Sequence, residues 1–241
     1  MTALPRKSML LLSGGMDSTT LLWWMRDRGI SEIHTVSIDY GQRHAVELES
    51  SSNLSRLAGA DSHRCLKVDL RQIGGNPLTD IGRQIPVAEQ DRQALTVVPF
   101  RNMLFVTLAA AWAERRGCKD LFLSPVRDDF QIYRDCRREF YDMLEKALCL
   151  GATRRTDYRI HTPFVEKWKD EIVSMGLNLE VPYAETHTCY EGKRPACGRC
   201  DACTERINAF RANRAVDPLP YEPEIDWTTS RTPHQQAARE D

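Results

Sequence analysis

Two stretches of this chain combine residue types that can do chemistry. Ser13-Gly14-Gly15-Met16-Asp17-Ser18 sets two glycines, two hydroxyls and a carboxylate directly after the apolar run Met9-Leu10-Leu11-Leu12. Glycines let a backbone pass close to a ligand. Free N–H groups at a helix start, with the helix dipole behind them, form an anion site. The backbone of Leu12, Gly14, Gly15 and Met16 would form the cradle, and the hydroxyls of Ser13, Ser18 and Thr19 would add hydrogen bonds to phosphate oxygens. Asp17 could hold a magnesium ion, which takes carboxylate and phosphate oxygens together. The plain alternative is a Gly-rich turn that merely caps a helix; the whole string, set between a strand and a helix, favours the phosphate loop. No Gly-Lys-Ser/Thr follows, so it is not a Walker A loop, and it is not the dinucleotide fingerprint either.

The second stretch is Cys189-x7-Cys197-x2-Cys200-x2-Cys203, four thiols within fifteen residues. Tetrahedral zinc takes four soft ligands, and short Cys-x-x-Cys steps aim two sulfurs at one metal. Gly198 permits a turn between ligands. Four cysteines close the coordination shell, so the metal would be structural. An iron–sulfur cluster uses the same ligands, and unliganded or redox cysteines are the remaining alternative. Cys65, Cys118, Cys136 and Cys149 are scattered and read as core or incidental residues.

The elements that must position these residues follow from periodicity. Met9 to Leu12 reads as a buried strand, Ser18 to Arg28 as a helix stopped by Gly29, Ile33 to Ile38 as a strand, Val46 to Leu57 as a helix, and Arg64 to Leu70 as a strand. Residues 71–95 carry Gly74, Gly75, Pro77, Gly82 and Pro86 with little periodicity and read as a long functional loop. Further helices are expected over Asn102–Arg115, Arg138–Leu150, Lys167–Met175 and from Thr204, and strands over Leu121–Leu123 and Tyr158–His161. Strand–helix alternation predicts an α/β fold, a doubly wound and mainly parallel sheet covered by helices on both faces. The expected division is an ATP-binding α/β domain over 1–185, a four-cysteine zinc-binding segment over 186–215, and a tail over 216–241 whose end is expected to be disordered.

Bulk composition narrows the class. The chain has 241 residues with 41% hydrophobic and 28% charged residues, ordinary for a globular protein. A net charge of -1 gives no global electrostatic case for nucleic acid or an anionic membrane, so no direct nucleic-acid binding is expected. No apolar run reaches the roughly 18 residues that cross a bilayer. Leu10–Leu12 is too short for a signal-peptide core, and a cytoplasmic location is expected.

The glycine loop resembles the pyrophosphate loop of the N-type ATP pyrophosphatases, which split ATP into AMP and pyrophosphate to activate a carboxyl or carbonyl oxygen. Over nearly its full length the chain resembles the 7-cyano-7-deazaguanine synthase, or QueC, family. The segments that carry the resemblance are Leu11–Thr20, Asp39-Tyr40-Gly41-Gln42-Arg43-His44, Val98–Asn102, Tyr133–Phe140, Ile160-His161-Thr162-Pro163 and the cysteine run. The resemblance implies an adenine nucleotide alpha hydrolase type of fold with a small C-terminal zinc-binding subdomain, usually a homodimer. It also implies ATP, Mg2+ and Zn2+ as cofactors. The implied reaction joins 7-carboxy-7-deazaguanine and ammonia, through an adenylate and then an amide, to give the nitrile.

By the same resemblance, Ser13, Gly15, Asp17 and Ser18 would hold pyrophosphate. Arg101 and Lys169 would neutralise charge as pyrophosphate departs; the alternative for each is an ordinary surface cation. Tyr40, Gln42, Arg43 and His44 follow the second strand, at the sheet end where such folds bind ligands. Asp129, Tyr133, Asp135, Arg137 and Glu139 would line the deazaguanine pocket; the alternative is a set of helix-start charges.

Several positions depart from the family pattern. Val126 and Gln131-Ile132 replace an Asn and a Ser-Gly pair, Arg134 stands at a usual Pro, Phe100 at a usual Gly, and His187-Thr188 at a common Trp-Ser. The activating residues are kept while the acceptor wall is altered. Two further readings therefore stand beside nitrile synthesis. One is a QueC-like ligase that delivers the activated acid to another amine, such as a protein acceptor in antiphage defence. The other is a non-catalytic zinc module that binds protein or RNA, which would have no need of an intact phosphate loop.

Overall fold

The computed structural model describes residues 4–85 and 93–228, with the side chains of Gln93, Ala94 and Gln131 left aside. Five parallel strands, β1 (Lys7–Leu11), β2 (Glu32–Asp39), β3 (Ser62–Lys67), β4 (Asp120–Phe122) and β5 (Arg159–His161), form one sheet in the order β3-β2-β1-β4-β5. The chain runs outward from β1 through β2 to β3, then returns to build β4 and β5 on the other side of β1. The expected doubly wound parallel sheet is therefore what the chain forms, and its switch point lies between β1 and β4.

The side-chain period of a strand is two, so neighbouring residues of β1 serve opposite faces. Met9 packs with Val36, Ile38 and Leu121 against α3 (Arg101–Arg116) and α4 (Arg138–Gly151), through Val106, Ala109, Ala110, Tyr141 and Leu144. Leu10 and Leu12 pack with Ile33 and Phe122 against α1 (Met16–Asp27) and α5 (Lys169–Asn178), through Leu21, Leu22, Met25 and Ile172. A strand buried on both sides must be apolar throughout, which is why Met9 to Leu12 carries no alternation. On the α1 side, α2 (Val46–Leu57) meets the sheet through hydroxyls: Ser51 Oγ pairs with Ser37 Oγ at 2.9 Å and Ser55 Oγ with Thr35 Oγ1 at 2.7 Å.

Element starts differ from the sequence expectation in two informative places. The first helix begins at Met16 rather than Ser18, because extended Gly15 (φ −79°, ψ 173°) is its N-cap. The last helix, α6 (Asp201–Ala212), begins three residues before Thr204, so Cys203 lies in its first turn. The long loop is tied at its two ends by one side chain. Asn76 Nδ2 donates to the carbonyls of Leu95 (3.1 Å) and Val97 (2.8 Å), and its Oδ1 accepts from Leu78 N–H at 2.9 Å.

The stretch expected to open the tail is packed. Asp217 is buried and pairs bidentately with Arg206 of α6 at 2.6 and 2.8 Å. Ala196 donates to Pro220 O at 2.9 Å and accepts from Glu222 N–H at 2.8 Å. Short polar residues and three prolines hide this packing from a reading of periodicity, because a single bridge and a buried ion pair have no period. The tail's end, residues 229–241, lies outside the described residues.

Candidate functional site

The glycine loop leaves β1 at the sheet's switch point and closes on itself through its own side chains. Ser13 Oγ lies 2.9 Å from Ser18 Oγ and accepts from Gly15 N–H at 3.1 Å; Thr19 Oγ1 donates to Gly15 O at 2.7 Å. Gly15, the N-cap, brings no side chain to cap α1, which leaves the positive end of its dipole open to a ligand. Gly14 has φ +88°, and a Cβ there would sit 2.3 Å from Glu47 O and 2.8 Å from Ser51 N. Only glycine lets α2 approach the loop this closely.

A cavity of about 290 Å³ opens beside the loop. Of the predicted residues, Leu12, Ser13, Gly15, Met16, Asp17 and Ser18 line it, together with Tyr40, Gln42, His44, Arg101, Asp129, Tyr133 and Lys169. Gly14 and Thr19 stand behind this lining and shape the loop. Arg43, Asp135, Arg137 and Glu139 are not part of it. Arg43 is drawn away by the carbonyls of Arg83 (2.8 Å) and Ile81 (3.4 Å). Asp135 accepts from Asn102 at 3.1 Å, Arg137 donates outward to Phe130 O at 3.2 Å, and Glu139 is exposed in the first turn of α4. The family resemblance suggested these three, but a short 3-10 turn at Arg134–Cys136 redirects the chain before α4 starts.

Charge in the cavity is unevenly spread. Lys169 pairs with Glu205 of α6. Burial alone would lower its pKa, yet Glu205, Asp129, Asp17 and Asp128 together hold it well above the ordinary lysine value. Asp17 is pushed up to about 7 by burial, against the pull of Lys169, and its Oδ1 is enclosed without a hydrogen-bond partner among the described residues. Asp128 Oδ2 and Asp129 Oδ2 are engaged by the N–H groups of Lys169 (2.8 Å) and Val126 (3.0 Å). One cation facing four carboxylates, one of them with a bare buried oxygen, is a donor set that a divalent oxygen-seeking cation fits.

On the opposite wall Arg101 lies over two rings, with its guanidinium carbon 6.0 Å from the Tyr40 centroid and 5.7 Å from that of Tyr133. Such stacking fixes a buried guanidinium in place. Burial opposes its charge, but Tyr40, Tyr133 and Tyr190 hold its pKa above the ordinary value. Phe100, the α3 N-cap, has φ +55°, a conformation that explains why glycine suits this position. Below, His44 Nε2 lies 3.5 Å from Glu47 Oε2. Burial lowers His44 to about 3 and raises Glu47 to about 8.

Of the altered acceptor-wall positions, Ile132 lines the cavity. Val126 is buried among Leu10, Phe122 and Phe164, and Arg134 is exposed. The side chain of Gln131 lies outside the described residues. Glu47, Asp128, Tyr190 and Glu205 also line or charge the cavity and were not singled out from sequence, while Thr188, marked there only as a departure from the family pattern, lines it too. Glu47 could have been found, since it falls three residues after His44 at a helix start. Glu205 carried no local signal, because only the docking of α6 on α5 brings it to Lys169.

The four cysteines converge as expected. Their sulfurs all lie within 4.8 Å of one another, all four residues are buried, and Cys197 Sγ is 3.9 Å from Cys203 Sγ. A tetrahedron with zinc–sulfur bonds of about 2.3 Å has edges of about 3.8 Å, so the geometry fits zinc. Backbone N–H groups of Cys197 and Cys200 point at the sulfurs of Cys189 (3.3 Å) and Cys197 (3.4 Å), as suits thiolates.

Residues 7–214 match the family profile described as queuosine biosynthesis protein QueC. The chain is 41% identical over 225 residues to the 7-cyano-7-deazaguanine synthase of Thermoplasma acidophilum, covering 90% of this chain and 92% of that one. It is 38% identical over 225 residues to that of Clostridium kluyveri, at 91% and 99% coverage, and 40% identical over 230 residues to that of Geobacter sulfurreducens, at 90% and 93%. Among the described residues no helix is long and apolar enough to cross a membrane.

Proposed function

The chain belongs to the QueC family, and from that premise we propose that it is an ATP-dependent carbon–nitrogen ligase that converts 7-carboxy-7-deazaguanine and ammonia to 7-cyano-7-deazaguanine in the cytoplasm. The observation that carries this reading is the placement of an uncapped helix start, Asp17, Lys169 and Arg101 around a single cavity at the sheet's switch point. In this reading residues 1–185 bind the nucleotide, and 186–215 fold around zinc. ATP supplies the adenylyl group that activates the carboxylate.

The chain's own groups have distinct roles. The loop N–H groups and the Ser13 and Ser18 hydroxyls bind the pyrophosphate part of the nucleotide. Asp17 would hold Mg2+ through its free Oδ1, and the ion would offset the phosphate charge. Lys169 and Arg101 stabilise negative charge that grows on the leaving pyrophosphate. Tyr40 and Tyr133 fix Arg101, and with Gln42, His44 and Asp129 they offer polar edges to a guanine-like ring. Asp135, Arg137 and Glu139 lie outside the cavity lining and reach the substrate only if that wall moves.

The test is product analysis by mass spectrometry after incubation with 7-carboxy-7-deazaguanine, ATP, Mg2+ and ammonium. Nitrile with repeated turnover is expected. AMP without nitrile, or a deazaguanine mass on a polypeptide, would keep the activation step and replace ammonia as the acceptor. No AMP at all would refute the ligase reading.

A further inference from the structure

Thr188 has no role in the reaction as described above, yet it stands at the phosphate loop. It immediately precedes Cys189 of the metal site, and it lines the same cavity as the glycine loop. A Cβ built on Gly15 would lie 3.2 Å from Thr188 Cγ2 and 3.3 Å from Ser13 Oγ, so the threonine methyl rests on the loop beside the serine hydroxyl. The backbone is pinned there: His187 N–H donates to Gly14 O at 2.9 Å.

The loop's own hydroxyls are satisfied. Ser13 and Ser18 bond each other at 2.9 Å, Thr19 bonds Gly15 O at 2.7 Å, and Thr20 bonds Met16 O at 2.9 Å. Thr188 Oγ1 is enclosed and has no partner among the described residues. A buried hydroxyl left unpaired is costly, and native folds rarely keep one without a reason. Its surroundings supply that reason, because an anion bound at the start of α1 would bring acceptor oxygens next to it.

We propose that Thr188 is a further nucleotide ligand, donating its hydroxyl hydrogen bond to a phosphate oxygen of ATP on the glycine loop. The cysteine-bearing segment then contributes directly to nucleotide binding as well as to folding. The inference rests on the ATP-dependent reading above and adds a residue to it.

The experiment is isothermal titration of the full zinc-loaded chain with Mg2+ and α,β-methylene-ATP, using wild type, Thr188→Val and Thr188→Ser. Val keeps the methyl contact and removes the hydroxyl; Ser does the reverse. The expected result is affinity about tenfold or more weaker for Val, a charge-assisted hydrogen bond lost, and near wild-type affinity for Ser. Zinc content should be unchanged in both, and the ligand-free Val variant should unfold at the wild-type temperature or above it, since it lacks the unpaired hydroxyl. Equal affinity of Val and wild type, or loss in Ser as large as in Val, would overturn the proposal. A wild-type protein that binds no nucleotide would refute the ATP reading itself.

Discussion

Glu47 O lies 2.3 Å from the point where a Cβ on Gly14 would be, so the first turn of α2 rests directly on the glycine loop. The loop is therefore shaped from outside as well as by its own sequence. Gly14→Ala should meet both this backbone contact and the penalty of φ +88°. We expect a loss of about 2 kcal/mol or more in stability and loss of AMP formation. Denaturant unfolding and product analysis check both; a variant of native stability would mean that the loop relaxes freely.

Asp17 sits where activity and stability oppose each other. Its pKa rises from 3.8 to about 7 on burial. A raised acid binds its proton more tightly in the folded state, so its contribution is complete below about pH 4 and lost as pH rises through 7. Asp17→Asn should abolish AMP formation yet make the ligand-free protein more stable at pH 8, by about 1 to 2 kcal/mol. The gain should shrink toward pH 5. Unfolding curves at the two pH values decide it, and an unchanged pH slope would show that the carboxylate is adequately solvated.

Cys200→Ser removes one ligand from a closed set whose sulfurs lie within 4.8 Å of one another. Structural zinc contributes folding free energy directly. The variant should lose zinc and unfold at lower temperature, as read by metal analysis and calorimetry. Iron in the wild-type protein would replace zinc by an iron–sulfur centre.

Arg206 and Asp217 form a salt bridge in which both side chains are at most 1% exposed. Removing one partner leaves the other charge buried. Asp217→Ala should cost about 3 to 5 kcal/mol, measured by urea unfolding, and should loosen the 216–228 stretch to proteolysis. If the loss is slight, the stretch does not hold α6 in place.

Phe100 is 73% exposed and holds φ +55°. Phe100→Gly should relieve the backbone and raise stability by about 1 kcal/mol, seen as a higher unfolding temperature. Lower stability would mean that the ring contributes packing that its exposure hides.

How far the sequence reached differs by feature. The glycine loop and the cysteine run were legible because their geometry depends on local order. Tight turns, helix starts and Cys-x-x-Cys steps are fixed by residues a few positions apart. The parallel sheet was legible for a related reason: strands buried on both faces are continuous apolar runs, and the connecting helices have their own period. The acceptor wall was not. Asp135, Arg137 and Glu139 stand near Tyr133 in sequence, but a short 3-10 turn carries them out of the cavity.

By itself the sequence determined the doubly wound α/β fold, the tight glycine loop at Ser13–Ser18 between β1 and α1, and the cysteine run whose four sulfurs converge. Only the tertiary structure decided which distant side chains complete the site. Glu205 reaches Lys169 because α6 docks on α5, Glu47 supports Gly14 because α2 packs on the loop, and Thr188 meets Gly15 because the cysteine segment folds back over the start of α1. Those meetings depend on how whole elements pack, and packing pairs residues far apart in the chain without leaving any local pattern to read.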